Sequence, residues 1–169
     1  MRRLIALIAL VVVSTTLVEA NSRKDKAAAD RATATWNYEI EPIERVAKQG
    51  SVVVKVSSVA ATPSMAASQA YKNAIHGVIF KGIPAVGRIP MRRPMMDAVA
   101  AQKHKAFFDE FFRDGGAYMA YATSAKVENS ILRISKKEFK VGVYVVINYD
   151  ELRRSLEKAG VIRGLMQGF

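Results

Sequence analysis

The chain has 169 residues, contains no cysteine, and carries 26 lysines and arginines against 15 aspartates and glutamates, a net charge of +11 at pH 7. The absence of cysteine excludes disulfide cross-links, cysteine-ligated metals and a thiol nucleophile. The length is that of one domain that an apolar core has to stabilise. The positive charge favours an anionic partner or serves solubility, and charge alone does not choose between these interpretations.

Residues 1–20 have the layout of a secretory signal peptide. Arg2 and Arg3 precede an apolar run from Leu4 to Val13, and a small polar segment then ends at Ala20. The pattern predicts cleavage after Ala20 and export to the periplasm or envelope. An uncleaved membrane anchor is the alternative, which the early Ser-Thr-Thr interruption disfavours.

Export narrows the choice of partner. An exported protein does not meet cytoplasmic nucleic acid, so we expect an envelope protein or an anionic surface component instead. Membrane contact would be peripheral once the leader is removed. The sequence indicates no oligomeric state.

Residues 21–35 are rich in alanine and charge, lack large apolar side chains, and predict a flexible spacer. A single domain is expected over residues 36–169. Apolar and polar residues alternate from Trp36 to Glu41, and a valine-rich run follows from Ser51 to Val59. Together these runs predict a β-hairpin that turns at Gly50.

Two long helices are predicted next. Thr62 and Pro63 form a helix start, and the alanine-spaced pattern that follows ends near Gly82. Residues from Met95 to Arg113 predict a second helix, which a glycine pair would end.

The remaining residues predict strands and one short helix. Ala117–Ala125 reads as a strand, and Ser130–Ser135 with Glu138–Ile147 reads as a hairpin. Asn148, three residues before Glu151, matches a capping box that begins the last helix. The order predicts an α+β fold, a two-layer sandwich of a mainly antiparallel sheet of four to five strands with helices on one face.

No catalytic or metal-binding constellation stands out. His76 and His104 lie on predicted helices without a second ligand at suitable spacing, so we expect part-buried or surface imidazoles and no metal. No serine lies in a Gly-x-Ser-x-Gly turn. We therefore expect a protein that is not an enzyme and has no cofactor, with an unrecognised hydrolase as an alternative.

Two groups of residues are candidates for binding. Cations around a proline-stiffened loop could hold phosphate or carboxylate, and these anion-binding candidates are Lys81, Arg88, Arg92 and Arg93. Ordinary ion pairs with Asp109, Glu110 or Asp114 are the alternative. An aromatic run could form an exposed partner surface, and its members are Phe107, Phe108, Phe111 and Phe112. A sheet edge is a third route to a partner.

Three stretches carry a family resemblance, namely Val52–Val56, Ser64–His76 and Val141–Ile147, the last followed by Leu152, Leu156 and Gly160. They look like the small envelope domains of flagellar assembly protein T and of curli-secretion lipoproteins. Residues 73–84 also resemble a group of exported proteins from Gram-negative anaerobes. The resemblance implies a periplasmic setting and no known activity. We expect a non-enzymatic binding or assembly domain of the envelope. Binding of anionic lipid or glycan through the basic loop is the alternative.

Overall fold

The computed structural model describes residues 36–44, 48–125 and 129–164. The predicted signal peptide and spacer lie outside the described residues. Five strands are present: β1 Tyr38–Pro42, β2 Val52–Ala60, β3 Ala122–Ser124, β4 Ser130–Ser135 and β5 Glu138–Ile147. Four α-helices accompany them: α1 Pro63–His76, α2 Ala98–Lys103, α3 Lys105–Phe111 and α4 Tyr149–Lys158.

The strands form one antiparallel sheet in the order β1-β2-β5-β3, with β4 also paired to β5. Since β2 occupies one edge of β5, β3 and β4 share the other edge, one after the other along the strand. Helices pack against this sheet, so the predicted α+β sandwich is confirmed. The predicted hairpins, β1 with β2 and β4 with β5, are both present.

The core lies between α1 and the two central strands. Ala66, Ala70 and Ala74 on α1 are fully buried, as are Val54 of β2 and Val145 of β5. Alanines four residues apart line one face of a helix, and their small side chains let that face approach the valines closely. This stripe is the one that the sequence predicted.

The start of α1 also follows its sequence. The Thr62 side-chain oxygen accepts a hydrogen bond from the Met65 amide at 3.3 Å, and Pro63 occupies the first turn. The hydroxyl thereby satisfies one of the amides that a helix start leaves without a partner.

The helix continues past His76 as a π-helical turn, Gly77–Lys81, which the Gly82 amide closes by donating to the Gly77 carbonyl at 2.9 Å. Gly82 has a φ of 76°, and a Cβ there would lie 2.4 Å from the Arg92 carbonyl oxygen. Only glycine combines this backbone conformation with such a close approach.

The second long helix is a correction. Within residues 95–113 the chain forms two short helices, α2 and α3, separated at His104, whose φ and ψ are −104° and 21°. Met96 and Phe108 are both buried. Met96 precedes Asp97, the N-cap of α2, so it reaches the core from outside the helices, whereas Phe108 reaches it from α3.

The predicted strand at 117–125 is also shorter than expected. Ala117–Tyr121 forms a 3-10 helix, and only Ala122–Ser124 pairs with β5. Tyr118 is buried and Tyr121 partly buried, while the two residues between them are exposed. A spacing of three matches the three residues per turn of a 3-10 helix.

The capping box at α4 does not form. Asn148 makes no side-chain cap, and its Oδ1 instead accepts a hydrogen bond from the Ser51 hydroxyl at 3.2 Å. Asn148 thus ties the start of α4 to the beginning of β2. Leu152 and Leu156 enter the core.

Candidate functional site

The basic loop is an ordered turn that already holds a carboxylate. Val86 and Ile89 pair through two backbone hydrogen bonds of 3.2 and 2.9 Å. At the turn between them, the Arg88 amide donates to Glu44 Oε1 at 3.3 Å. An acidic side chain of the protein therefore binds the backbone of this turn.

The other loop cations are directed to different aromatic rings. Lys81 Nζ lies 3.7 Å from the centre of the Tyr38 ring and donates to the Tyr38 carbonyl at 3.3 Å. The Arg92 guanidinium lies 4.1 Å from the centre of the Tyr149 ring, whereas Arg93 is exposed. These cation–π contacts place Lys81 and Arg92 in separate surroundings, so the four candidates do not form one cradle.

The acids suggested as alternative partners have other neighbours. Asp109 pairs with Lys105 at 2.5 Å, and Glu110 pairs with Arg113 at 2.7 Å. Both pairs are exposed and lie one turn apart on the surface near α3, so each contributes little to stability.

The aromatic run is not an exposed surface, which corrects the prediction. Phe108, Phe111 and Phe112 are buried, and only Phe107 is partly accessible. The Phe111 and Phe112 rings meet edge to face with their centres 5.0 Å apart. Phe108, Phe111 and Phe112 belong to the core cluster, and Phe107 packs against it.

The clearest exposed apolar feature is β4. Every residue of this strand is exposed, and Ile131, Leu132 and Ile134 expose 61%, 63% and 52% of their surface. Within the described part of the chain, β4 pairs only with β5, so its outer edge has no partner strand. The sequence signal for this strand was its run of apolar residues at consecutive positions. A strand with one face on the core and one in solvent would instead alternate apolar and polar residues.

Positive charge surrounds this edge. Arg133 lies within β4, and Lys136 and Lys137 form the turn to β5. The Arg133 side chain donates to the Ser135 carbonyl at 3.1 Å, which fixes the turn. Glu138 is the acid at this turn, where it accepts a hydrogen bond from Ser135 at 3.4 Å.

A second feature, which sequence reasoning missed, centres on His76. The Tyr38 hydroxyl lies 2.6 Å from His76 Nδ1, and the Trp36 ring stacks on the imidazole at 3.6 Å between ring centres. Burial, followed by the charge of Lys81, lowers the pKa of His76 to about 3. Burial raises the pKa of Tyr38. Both side chains are therefore neutral at physiological pH.

The described residues contain neither a metal-binding cluster nor a membrane-spanning helix. No group of three or more histidines, aspartates or glutamates in them is arranged to hold a metal ion. Among the same residues, no helix has the length and apolar character needed to cross a membrane.

Comparison with known proteins returned no match to a protein family, a curated protein or a solved structure. The resemblance to envelope-assembly domains therefore stays a prediction from sequence.

Proposed function

We propose that this protein is an exported, non-enzymatic binding domain of the bacterial envelope that holds an extended segment of another protein against β4. The observation that carries this proposal is the exposure of Ile131, Leu132 and Ile134 on a strand whose outer edge is unpaired in the described structure. Export is supported by the signal-peptide pattern of residues 1–20.

Strand addition suits this geometry. An extended peptide that adds to a sheet edge gains main-chain hydrogen bonds along its length, and its alternate side chains pack on those of the edge strand. Natural proteins normally blunt such edges because exposed apolar strands aggregate. Retention of three large aliphatic residues on β4 is the pattern that a binding edge needs.

The charge around β4 indicates the kind of partner. Arg133, Lys136 and Lys137 favour a strand that carries acidic residues among its apolar ones. A second copy of this chain is disfavoured, because it would bring another edge strand of the same positive charge. The net charge of +11 adds to that repulsion.

Binding is favoured over acid–base catalysis by the chemistry of His76. General acid–base catalysis works best when the pKa of the catalytic side chain lies near the operating pH. The pKa of about 3 for His76 is far below neutrality, so its ring is a weak base.

Binding at the basic loop has less support than binding at β4. The Arg88 amide holds Glu44, and the Arg92 side chain packs on Tyr149. A lipid phosphate or an acidic glycan would have to displace Glu44 to reach that turn.

A peptide titration tests the proposal. We expect a short peptide that alternates valine with glutamate to bind saturably and to shift the backbone amide NMR signals of β4. A peptide that alternates valine with lysine should not bind, because it meets like charge. Replacement of both Ile131 and Ile134 by threonine should weaken binding about tenfold or more, since apolar contact is lost while β propensity is kept.

Met91→Thr is the matched control, because Met91 is also largely exposed but lies in the loop rather than on β4. The proposal fails if the acidic peptide shifts no β4 signal, or if the β4 variant and the control bind it equally. Self-association of the unmodified protein through β4 would instead identify a second copy as the occupant and overturn the hetero-partner assignment.

A further inference from the structure

On the sheet face opposite α1, β4 lies beside a gap in the side chains of β5. Ser130 of β4 pairs with Gly142 of β5, which in turn pairs with Ser57 of β2. Paired residues of neighbouring strands share a face, and this row alternates with the buried Val141 and Val143, so it faces away from the core. Since Gly142 has no side chain, the row has a gap next to β4.

Lys55 and Ser130 close over this gap from opposite sides. A Cβ at Gly142 would lie 2.7 Å from Lys55 Cε and 3.7 Å from Ser57 Oγ, and it would overlap the Ser130 hydroxyl. Lys55 belongs to β2, so its side chain leans from β2 over β5 in the direction of β4. The missing side chain of Gly142 provides the room for this path.

The Lys55 ammonium has no carboxylate partner in the described part of the chain. Glu41 lies directly opposite Lys55 on β1, but no ion pair joins them, and the Lys55 side chain leans the other way. Lys140, which lies on the same face next to β4, pairs with Glu39 at 2.6 Å. Of these two lysines, Lys55 is therefore the one available to an acidic group of a partner.

Two hydroxyls stand beside this cation. Among the described residues, neither Ser57 nor Ser130 has a side-chain hydrogen-bond partner. An ammonium group with hydroxyl donors next to it suits a carboxylate, because charge-assisted hydrogen bonds are stronger than neutral ones. A side chain from a strand added to β4 would pass over Ser130 to reach these donors, since neighbouring strands lie about 4.8 Å apart.

We infer that Lys55, Ser57 and Ser130 bind the carboxylate of one glutamate of the added strand, at the position directly opposite Ser130. The inference rests on strand addition at β4 and identifies the residues that select the partner's sequence. The next two positions of the partner lie opposite Ile131 and Leu132, so they are apolar. The partner therefore carries a glutamate next to two apolar residues.

A symmetric peptide tests this inference. One glutamate between two pairs of valines presents the same pattern whichever way the peptide adds to β4. We expect this peptide to bind about tenfold more tightly than its glutamine counterpart, because the charge-assisted hydrogen bonds are lost. In Lys55→Met, which keeps an apolar stem without the charge, the two peptides should bind within about twofold of each other. Titration followed by backbone amide NMR gives the dissociation constants and should show shifts at β4 and Gly142.

Lys140→Met is the matched control, because it removes a lysine of the same face that Glu39 already binds. The preference for glutamate should persist in it. Circular dichroism checks the folding of each variant, and if Lys55→Met does not fold, Ser130→Ala replaces it and should reduce the preference to about threefold.

The inference is overturned if the two peptides bind the unmodified protein equally, or if folded Lys55→Met keeps the preference for glutamate. Loss of the preference in Lys140→Met would also overturn it, because charge anywhere on this face would then suffice. A β4 that responds to neither peptide would overturn strand addition itself, and the inference with it.

Discussion

Burial keeps the His76 imidazole neutral in the folded protein. The free energy of unfolding therefore depends on pH. The pKa of His76 is about 3 in the folded state against an ordinary value of 6.5. Between these values the unfolded chain binds a proton that the folded protein does not. Stability is therefore fully present above about pH 6.5 and falls as the pH is lowered towards 3, by at most about 1.4 kcal/mol per pH unit from this residue.

The variant His76→Phe tests this dependence. We expect a lower free energy of unfolding at neutral pH, because the buried Tyr38 hydroxyl loses its acceptor. We also expect a shallower decline of stability from about pH 6.5 to pH 4, since the titrating group is gone. Urea denaturation at a series of pH values measures both quantities. Equal slopes for the two proteins would show that other groups cause the acid sensitivity.

The pairing of Tyr38 with His76 could not be read from the sequence. The two residues are separated by a turn, a strand and a helix, and neither belongs to a motif with fixed spacing. The sequence predicted a surface or part-buried imidazole, and His76 is part-buried. Its partners depend on how α1 lies across the sheet.

At the scale of elements, sequence patterns correctly predicted the features that depend on residues close together in the chain. The alanine stripe of α1, the cap at Thr62 and the hairpin of β4 with β5 are all present, because each depends on residues close in sequence. The helix over 95–113 was wrong because helix propensity and aromatic bulk do not reveal that the first helix begins only after Asp97 and that the chain breaks at His104.

The candidate site was predicted less well for the same reason. The exposed aromatic surface was wrong, and two of the loop cations, Lys81 and Arg92, proved to be engaged with the rings of Tyr38 and Tyr149. Residue type indicated charge and bulk correctly, but exposure is a property of the assembled layers. The apolar residues of β4 were visible in the sequence, and their solvent exposure was not.

The junction between the π-helical turn and the following loop depends on Gly82. We expect Gly82→Ala to lower the free energy of unfolding by roughly 3 kcal/mol or more, because it adds a clash with the Arg92 carbonyl to an unfavourable positive φ. Gly160→Ala shares the positive φ but has open space around it, so about 1 kcal/mol is expected there. Guanidinium denaturation compares the two, and equal losses would contradict the role given to the close approach.

At the scale of the whole molecule, the proposal of export makes a prediction about the amino terminus. Mass spectrometry of the protein purified from its natural host should find Asn21 as the first residue, because the small residues Val18 and Ala20 precede the expected cut. The purified material should come from the envelope fraction. An intact Met1 on a cytosolic product would contradict both the leader assignment and the envelope setting.

The sheet order has a consequence for how the chain is made. Val52 pairs with Ile147, so β2 lacks its main neighbour until the ribosome has synthesised nearly the entire domain. In that interval β1 and β2 form only a two-stranded ribbon, which is marginally stable in water, and such distant pairing is slow to establish. The proposed export would benefit from this delay, because the fold closes only after its last strand has been synthesised.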